Sequence, residues 1–175
     1  YFVLMAFARS ALLQCPWTLV ENAFRLSVDT LDVNIIPQGG TALSEAIKTA
    51  LEAYKEGDNF KILVLFTDGE DTDEGALEAA QAAAKQGMKI FTVGVGTPQG
   101  EILRTKDAKG RTEYIRDPEG NAVKSKLNEN LLREVAAATE GGYLQLGGTR
   151  TMETLYATGL APLPKSEGQE KLVKQ

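Results

Sequence analysis

The sequence predicts an α/β fold, a doubly wound and mostly parallel sheet with helices on both faces. Apolar runs of strand length alternate with stretches whose apolar residues recur at helical spacing, the rhythm of β-α-β units. One run, Lys61-Ile62-Leu63-Val64-Leu65-Phe66-Thr67, is unbroken and rich in Ile, Leu and Val. It reads as a strand buried on both faces. The run stops at Asp68, and Gly69 lets the chain turn at once. The acid is thereby delivered to the carboxyl edge of the sheet, where ligands bind in open α/β folds.

Residues 1–8 are apolar and strand-like, and 11–19 form a weaker second strand in which Pro16 suits an edge position. Val20, Phe24, Val28 and Leu31 fall at helical spacing, so 21–31 reads as an amphipathic helix. A loop over 34–40 ends in Pro37-Gln38-Gly39-Gly40. Thr41 then opens a helix with a buried stripe of Leu43, Ala46, Ile47, Ala50, Leu51 and Tyr54, and Gly57 marks its end. After the 61–67 strand, Asp71-Thr72-Asp73-Glu74 is a helix start signal, with acids where the macrodipole favours them. That helix runs to Gln86-Gly87, and 88–95 is a further buried strand. Turn clusters at Asp107-Ala108-Lys109-Gly110 and Asp117-Pro118-Glu119-Gly120-Asn121 mark 96–126 as an inserted hairpin or meander. Asn128 caps a helix carrying Leu131, Leu132, Val135 and Ala138, closed by Gly141-Gly142. A short strand over 143–146 and a final helix over 149–159 follow.

The 175 residues suit one domain, large enough to bury a core without staples. The predicted domain occupies 1–160, and the prolines and charges of 161–175 read as a linker tail. The chain opens inside a strand-like stretch without a start Met, which reads as a domain incomplete at its N-terminus. A net charge of -5 argues against nucleic acid or an anionic membrane as partner. No apolar run reaches the roughly 20 residues of a membrane span. The single Cys15 excludes an internal disulfide framework and a Cys-based zinc site, and the absence of histidine removes Ser-His-Asp and Cys-His catalysis. A metal bound here needs oxygen ligands, which favours Mg²⁺, Mn²⁺ or Ca²⁺.

Two signals carry chemistry. Asp68 is either a metal-coordinating acid at a strand tip or a solvated turn aspartate. Gly39-Gly40-Thr41 either brings backbone close to a ligand with the Thr41 hydroxyl aimed at it, or makes a turn with Thr41 as N-cap. Both lie where loops gather at one end of the sheet. The cluster Asp68, Glu70, Asp71, Asp73 and Glu74 does not have EF-hand spacing, and helix capping by Asp71, Asp73 and Glu74 accounts for it better.

Taken together, Gly39-Gly40-Thr41 at a helix start and the buried run ending in Thr67-Asp68-Gly69 resemble a von Willebrand factor type A domain. In that family three loops form a metal-ion-dependent adhesion site, supplying an Asp-x-Ser-x-Ser motif, a Thr and an Asp. Thr41 matches the second loop and Asp68 the third. The resemblance implies Mg²⁺ in the intact domain, with a partner protein's carboxylate completing its shell. Met5-Ala6-Phe7-Ala8, Gln14-Cys15-Pro16-Trp17-Thr18-Leu19, Gly39-Gly40-Thr41-Ala42-Leu43 and Gly94-Val95-Gly96-Thr97-Pro98, with the charged insert, are similar to the BatB branch of the bacterial Bat proteins. That similarity implies the soluble, periplasmic domain of an inner-membrane protein, joined to its membrane through segments absent here. It further implies a part in stress tolerance or in assembly with other Bat proteins and a MoxR-type AAA+ ATPase.

No Asp-x-Ser-x-Ser occurs in these residues. In the family that motif ends a central first strand, so the chain carries two of three metal loops. A lone Asp and a Thr hydroxyl are too few ligands for tight binding. The expected function is a non-enzymatic, metal-dependent protein-interaction domain, with the 96–126 insert contributing to partner choice. The rival readings are a Mg²⁺-dependent hydrolase or phosphotransferase using Asp68 as nucleophile, and a scaffold whose metal site is unused. Against the hydrolase, Asp68-Gly69-Glu70 lacks a second Asp two residues on.

Overall fold

The computed structural model describes residues 2–32, 35–36, 40–54, 60–106, 109–117 and 119–163, with Trp17 described by its backbone alone. Tyr1, Pro37-Gln38-Gly39, the Gly57 helix stop, Asp107-Ala108, Pro118 and the tail beyond 163 lie outside the described residues.

Strand β3 (Lys61–Thr67) and strand β4 (Met88–Gly94) pair in parallel, from Lys61 opposite Met88 to Thr67 opposite Gly94. Strand β9 (Tyr143–Gln145) adds in parallel to the other side of β4, with Thr92 opposite Tyr143. The alternation of side chains along each strand divides the apolar residues between two cores. Leu63, Leu65, Met88 and Ile90 pack with helices α2 (Leu43–Ala53), α3 (Ala76–Lys85) and α4 (Glu129–Ala138). Ile62, Val64, Phe91 and Val93 face the opposite way, onto Met152 of α5 (Thr149–Thr154) and onto Leu155 and Leu160 of its π-helical continuation, Leu155–Leu160. Helices therefore cover both faces of a parallel sheet, as the sequence rhythm predicts.

Two threonines tie α4 to β4 through the first of these cores. The buried Thr92 hydroxyl donates to the Leu132 carbonyl at 2.9 Å. The Thr139 hydroxyl accepts from the Ile90 amide at 2.8 Å and donates to the Ala136 carbonyl at 3.0 Å. Each satisfies a polar group that burial would otherwise leave without a partner.

Strands β1 (Phe2–Phe7) and β2 (Ala11–Thr18) form a separate antiparallel hairpin with register shifts near Leu4. Helix α1 (Glu21–Asp29) lies on it, with the Phe24 ring 5.5 Å from that of Phe2. The helix is where its periodicity places it, but it buries no residue, and Leu26 is 65% exposed.

The 61–67 strand meets a core on each face over most of its length, as expected: Leu63 and Leu65 pack on one side, Ile62 and Val64 on the other. Among the described residues β3 is an edge strand, and Phe66 is 48% exposed. The more deeply buried strand is β4, which also has a paired neighbour along either edge. An unbroken apolar run records a capacity for burial; whether a neighbouring strand is present is a separate matter.

The insert is a layered meander. Strand β5 (Glu101–Ile102) pairs with β8 (Lys124–Ser125), and β6 (Arg104–Lys106) pairs with β7 (Thr112–Tyr114). Leu103, Ile115 and Val123 are joined by backbone bonds: the Leu103 amide donates to Val123, Ile115 to Leu103, and Val123 to Ile115.

The connection from α4 to β9 passes directly over β4. A Cβ on Gly141 would overlap the Ile90 carbonyl, whereas one on Gly142 would meet only the Phe91 ring at 3.6 Å. Gly141→Ala is therefore expected to cost about 3 kcal/mol, the upper end of overpacking effects, while Gly142→Ala stays within about 0.5 kcal/mol of the parent. Thermal melts of the two variants check the contrast.

Candidate functional site

Asp68 follows the last residue of β3, and its carboxylate is held by two neutral donors. Oδ1 accepts from the Glu70 amide at 3.1 Å, a local turn of the kind Asp side chains make. Oδ2 accepts from the Ser125 hydroxyl at 2.8 Å, across 57 residues of chain. Neither donor carries a charge, so neither offsets that of the carboxylate. Two backbone bonds hold the loop from either side. The Asp68 carbonyl accepts from the Asn128 amide at 2.7 Å, and the Thr67 carbonyl from the Val95 amide at 2.8 Å. Gly69 sits at φ 76°, and a Cβ there would lie 2.9 Å from the Asn128 carbonyl and 3.0 Å from the Leu132 side chain. Only glycine meets both conditions without strain.

Thr41 precedes α2 and is anchored to the same region. Its carbonyl accepts from both the Thr72 amide and the Thr72 hydroxyl, each at 2.8 Å. The neighbouring Ala42 amide donates to the Ala8 carbonyl at 2.8 Å, which ties the loop to the end of β1. The segment following Asp68 thus runs alongside Thr41, and the two loops singled out in the sequence converge at the carboxyl edge of the sheet.

A family model for the von Willebrand factor type A domain matches residues 4–134, more than half of the chain. The chain belongs to the von Willebrand factor type A family. Its structure is similar to that of a conserved hypothetical protein BatB from Bacteroides thetaiotaomicron, at 31% identity and a TM-score of 0.79, covering 87% of this chain and 73% of that one. It is also similar to an aerotolerance-related membrane protein from Bacteroides fragilis, at 27% identity and a TM-score of 0.78, covering 87% and 74%. A UPF0353 protein from Mycolicibacterium paratuberculosis is 27% identical over 171 residues, 89% of this chain and 46% of the relative. The chain thus spans about half the length of the curated relatives it matches. Among the described residues no helix is long and apolar enough to cross a membrane.

The two donors that the sequence resemblance assigns to a metal are hard oxygens. The Asp68 carboxylate and Thr41 hydroxyl suit Mg²⁺ or a similar cation, which retains waters and takes only one or two protein carboxylates. The described residues hold no cluster of three or more His, Cys, Asp or Glu side chains able to bind a metal. The donor set is therefore chemically compatible with such an ion, but small. An open groove beside the Asp68 loop is lined by Glu70, Pro98, Lys126, Leu127, Asn128 and Glu129.

Two expectations at this edge are corrected. The acids 71–74 do not start α3, which begins at Ala76 with Gly75 as its N-cap. Thr41 is not the N-cap of α2 either; that position is Ala42, whose side chain can cap nothing. The cap comes from another loop: Asp71 Oδ1 accepts from the Leu43 amide at 3.1 Å. Asn128, in contrast, caps α4 as predicted, accepting from the Leu131 amide at 3.3 Å. Ser125 went unmarked in the sequence, since a serine between two lysines of a charged insert has no local signature.

Tyr143 opens strand β9 beside Gly94 of β4. Its ring carries the Arg133 guanidinium at 4.3 Å, and its hydroxyl is buried against Gly94 and Leu127 without a hydrogen-bond partner among the described residues. Burial, reinforced by the Glu129 carboxylate, pushes its pKa above the ordinary tyrosine value. Tyr143→Phe removes an unpaired polar group, so it is expected to leave thermal stability unchanged or raised. Asp71→Ala removes the cap of α2 and is expected to lower stability by about 1 kcal/mol in denaturant titrations.

Proposed function

We propose that this chain is a non-enzymatic, metal-dependent protein-interaction domain of a BatB-like bacterial envelope protein. Asp68 and Thr41 would hold a divalent cation, Mg²⁺ first, with Mn²⁺ or Ca²⁺ as alternatives. Bound there, such an ion supplies an electrophilic point for a partner protein's carboxylate. The observation that carries this reading is Asp68, an acid presented at the carboxyl edge by two neutral donors, with the Thr41 loop docked beside it. Asp68 provides charge and direct coordination, and Thr41 a hydroxyl oxygen. The groove walled by Glu70 and the 126–130 segment leaves room for a partner next to them.

The two Bacteroides relatives support the wider setting. One is a BatB protein and the other an aerotolerance-related membrane protein. We further propose, from the sequence resemblance to the BatB branch, that the domain lies on the periplasmic side of an inner-membrane protein. Its work there is stress tolerance or complex assembly, with other Bat proteins and a MoxR-type AAA+ ATPase as partners. The insert, rooted beside Asp68, contributes to partner choice.

Two side-chain oxygens are too few for tight metal binding, and further ligands are expected from an Asp-x-Ser-x-Ser segment outside these residues. Isothermal titration of Mg²⁺ into this chain alone should show no tight site; tight binding that vanishes in Asp68→Ala refutes that limit. Capture of envelope proteins by the complete protein tests the function. Partner recovery should fall sharply both in EDTA and in Asp68→Ala. Recovery unaffected by either treatment overturns metal dependence in favour of a plain scaffold. Mg²⁺-dependent phosphoester turnover lost in Asp68→Ala overturns the non-enzymatic reading.

A further inference from the structure

We propose that Ser125 is a positioning residue that ties the seating of the insert to the side-chain state of Asp68. The root of the insert is narrow and firmly closed. Glu101 pairs with Ser125 and Ile102 with Lys124, and the Leu127 amide donates to the Thr97 carbonyl at 3.0 Å. A Cβ on Gly100 would lie 2.9 Å from the Ser125 carbonyl, so the two legs of the insert touch at Ser125. Whatever moves Ser125 therefore moves both legs.

The same few residues rest on the Asp68 loop. The Asn128 amide donates to the Asp68 carbonyl at 2.7 Å, the Lys126 amide reaches Glu70 Oε1 at 3.4 Å, and the Ser125 hydroxyl donates to Asp68 Oδ2 at 2.8 Å. Only the last of these ends on the Asp68 carboxylate. The other two persist whatever that carboxylate binds. The Ser125 bond does not, because a carboxylate oxygen that binds a cation becomes a poorer acceptor. A serine hydroxyl has one proton to donate and two lone pairs, and it rotates freely. It can donate to Asp68, or turn its oxygen away from that role when the carboxylate is otherwise engaged. Both residues are half-buried, so water competes less for this bond than at an open surface. A structural serine serving only to close the hairpin needs no acid 57 residues away.

The link between Ser125 and Asp68 stands without any metal; its use as a sensor of the site rests on the function proposed above. Hydrogen exchange on the complete protein, where the metal reading expects the cation to bind, separates the two. The reporters are the Leu103, Ile115 and Val123 amides, which lock the insert together. Ser125→Ala should speed their exchange about tenfold, the size of one hydrogen bond to a charged group. In an Asp68→Ala background the same change should have no further effect, and Ser125→Thr should restore slow exchange. An equal Ser125→Ala effect in both backgrounds, or none in either, overturns the proposal. Mg²⁺ added to the parent should then shift exchange at the insert amides, and should not do so in Ser125→Ala. If Mg²⁺ alters the 68–72 amides but not the insert, the use of the link as a sensor is refuted and the metal reading stands. If the mutant cycle shows coupling and Mg²⁺ alters nothing, the coupling stands and the metal reading fails.

Discussion

The close approach of the α4 N-terminus to Gly69 is the constraint on which the rest of this edge depends. The Asn128 carbonyl would lie 2.9 Å from any Cβ at Gly69, and the Asn128 amide binds the Asp68 carbonyl. A larger residue would push α4 away from β4, breaking the Thr92 bond to Leu132 and opening the core around Val135. The same contact sets where the insert returns to the body, because the insert ends two residues before Asn128. A tight strand-to-turn junction thus fixes a helix, a meander and the direction of one carboxylate together.

Most of the site is backbone. The Glu70 amide, the Thr41, Thr67 and Asp68 carbonyls, and the Val95 and Asn128 amides position the loops, while side chains supply a carboxylate and hydroxyls. An edge built this way has its geometry before any ligand arrives, which lowers the ordering cost of binding. It also suits a hard cation, for which neutral oxygen donors and one acid are the natural partners.

Much of the fold was legible in the sequence because each element carried a local signal. The Asn128 cap, the buried stripe of α2 and the apolar run of β4 identify themselves through periodicity or side-chain chemistry. The place of Asp68 directly after β3 was legible for a similar reason, since the apolar run stops there at Gly69. Errors arose where a signal was real but belonged to a different partner. Asp71 is a helix cap, yet it caps α2, which precedes it by 28 residues. The apolar run of β3 does meet a core on each face, and only near its carboxyl end does Phe66 stand exposed.

The sequence by itself determined the α/β class, the order of helices and strands and the inserted meander. These follow from short-range chemistry: side-chain period, turn residues and caps act within a few positions of the chain. Only the tertiary structure decided that β4 rather than β3 is the buried centre and that Asp71 serves another helix. It also decided that Ser125 meets Asp68. Those outcomes depend on which surfaces touch after collapse, and a hydrogen bond across 57 residues leaves no pattern along the chain for a local reading to find.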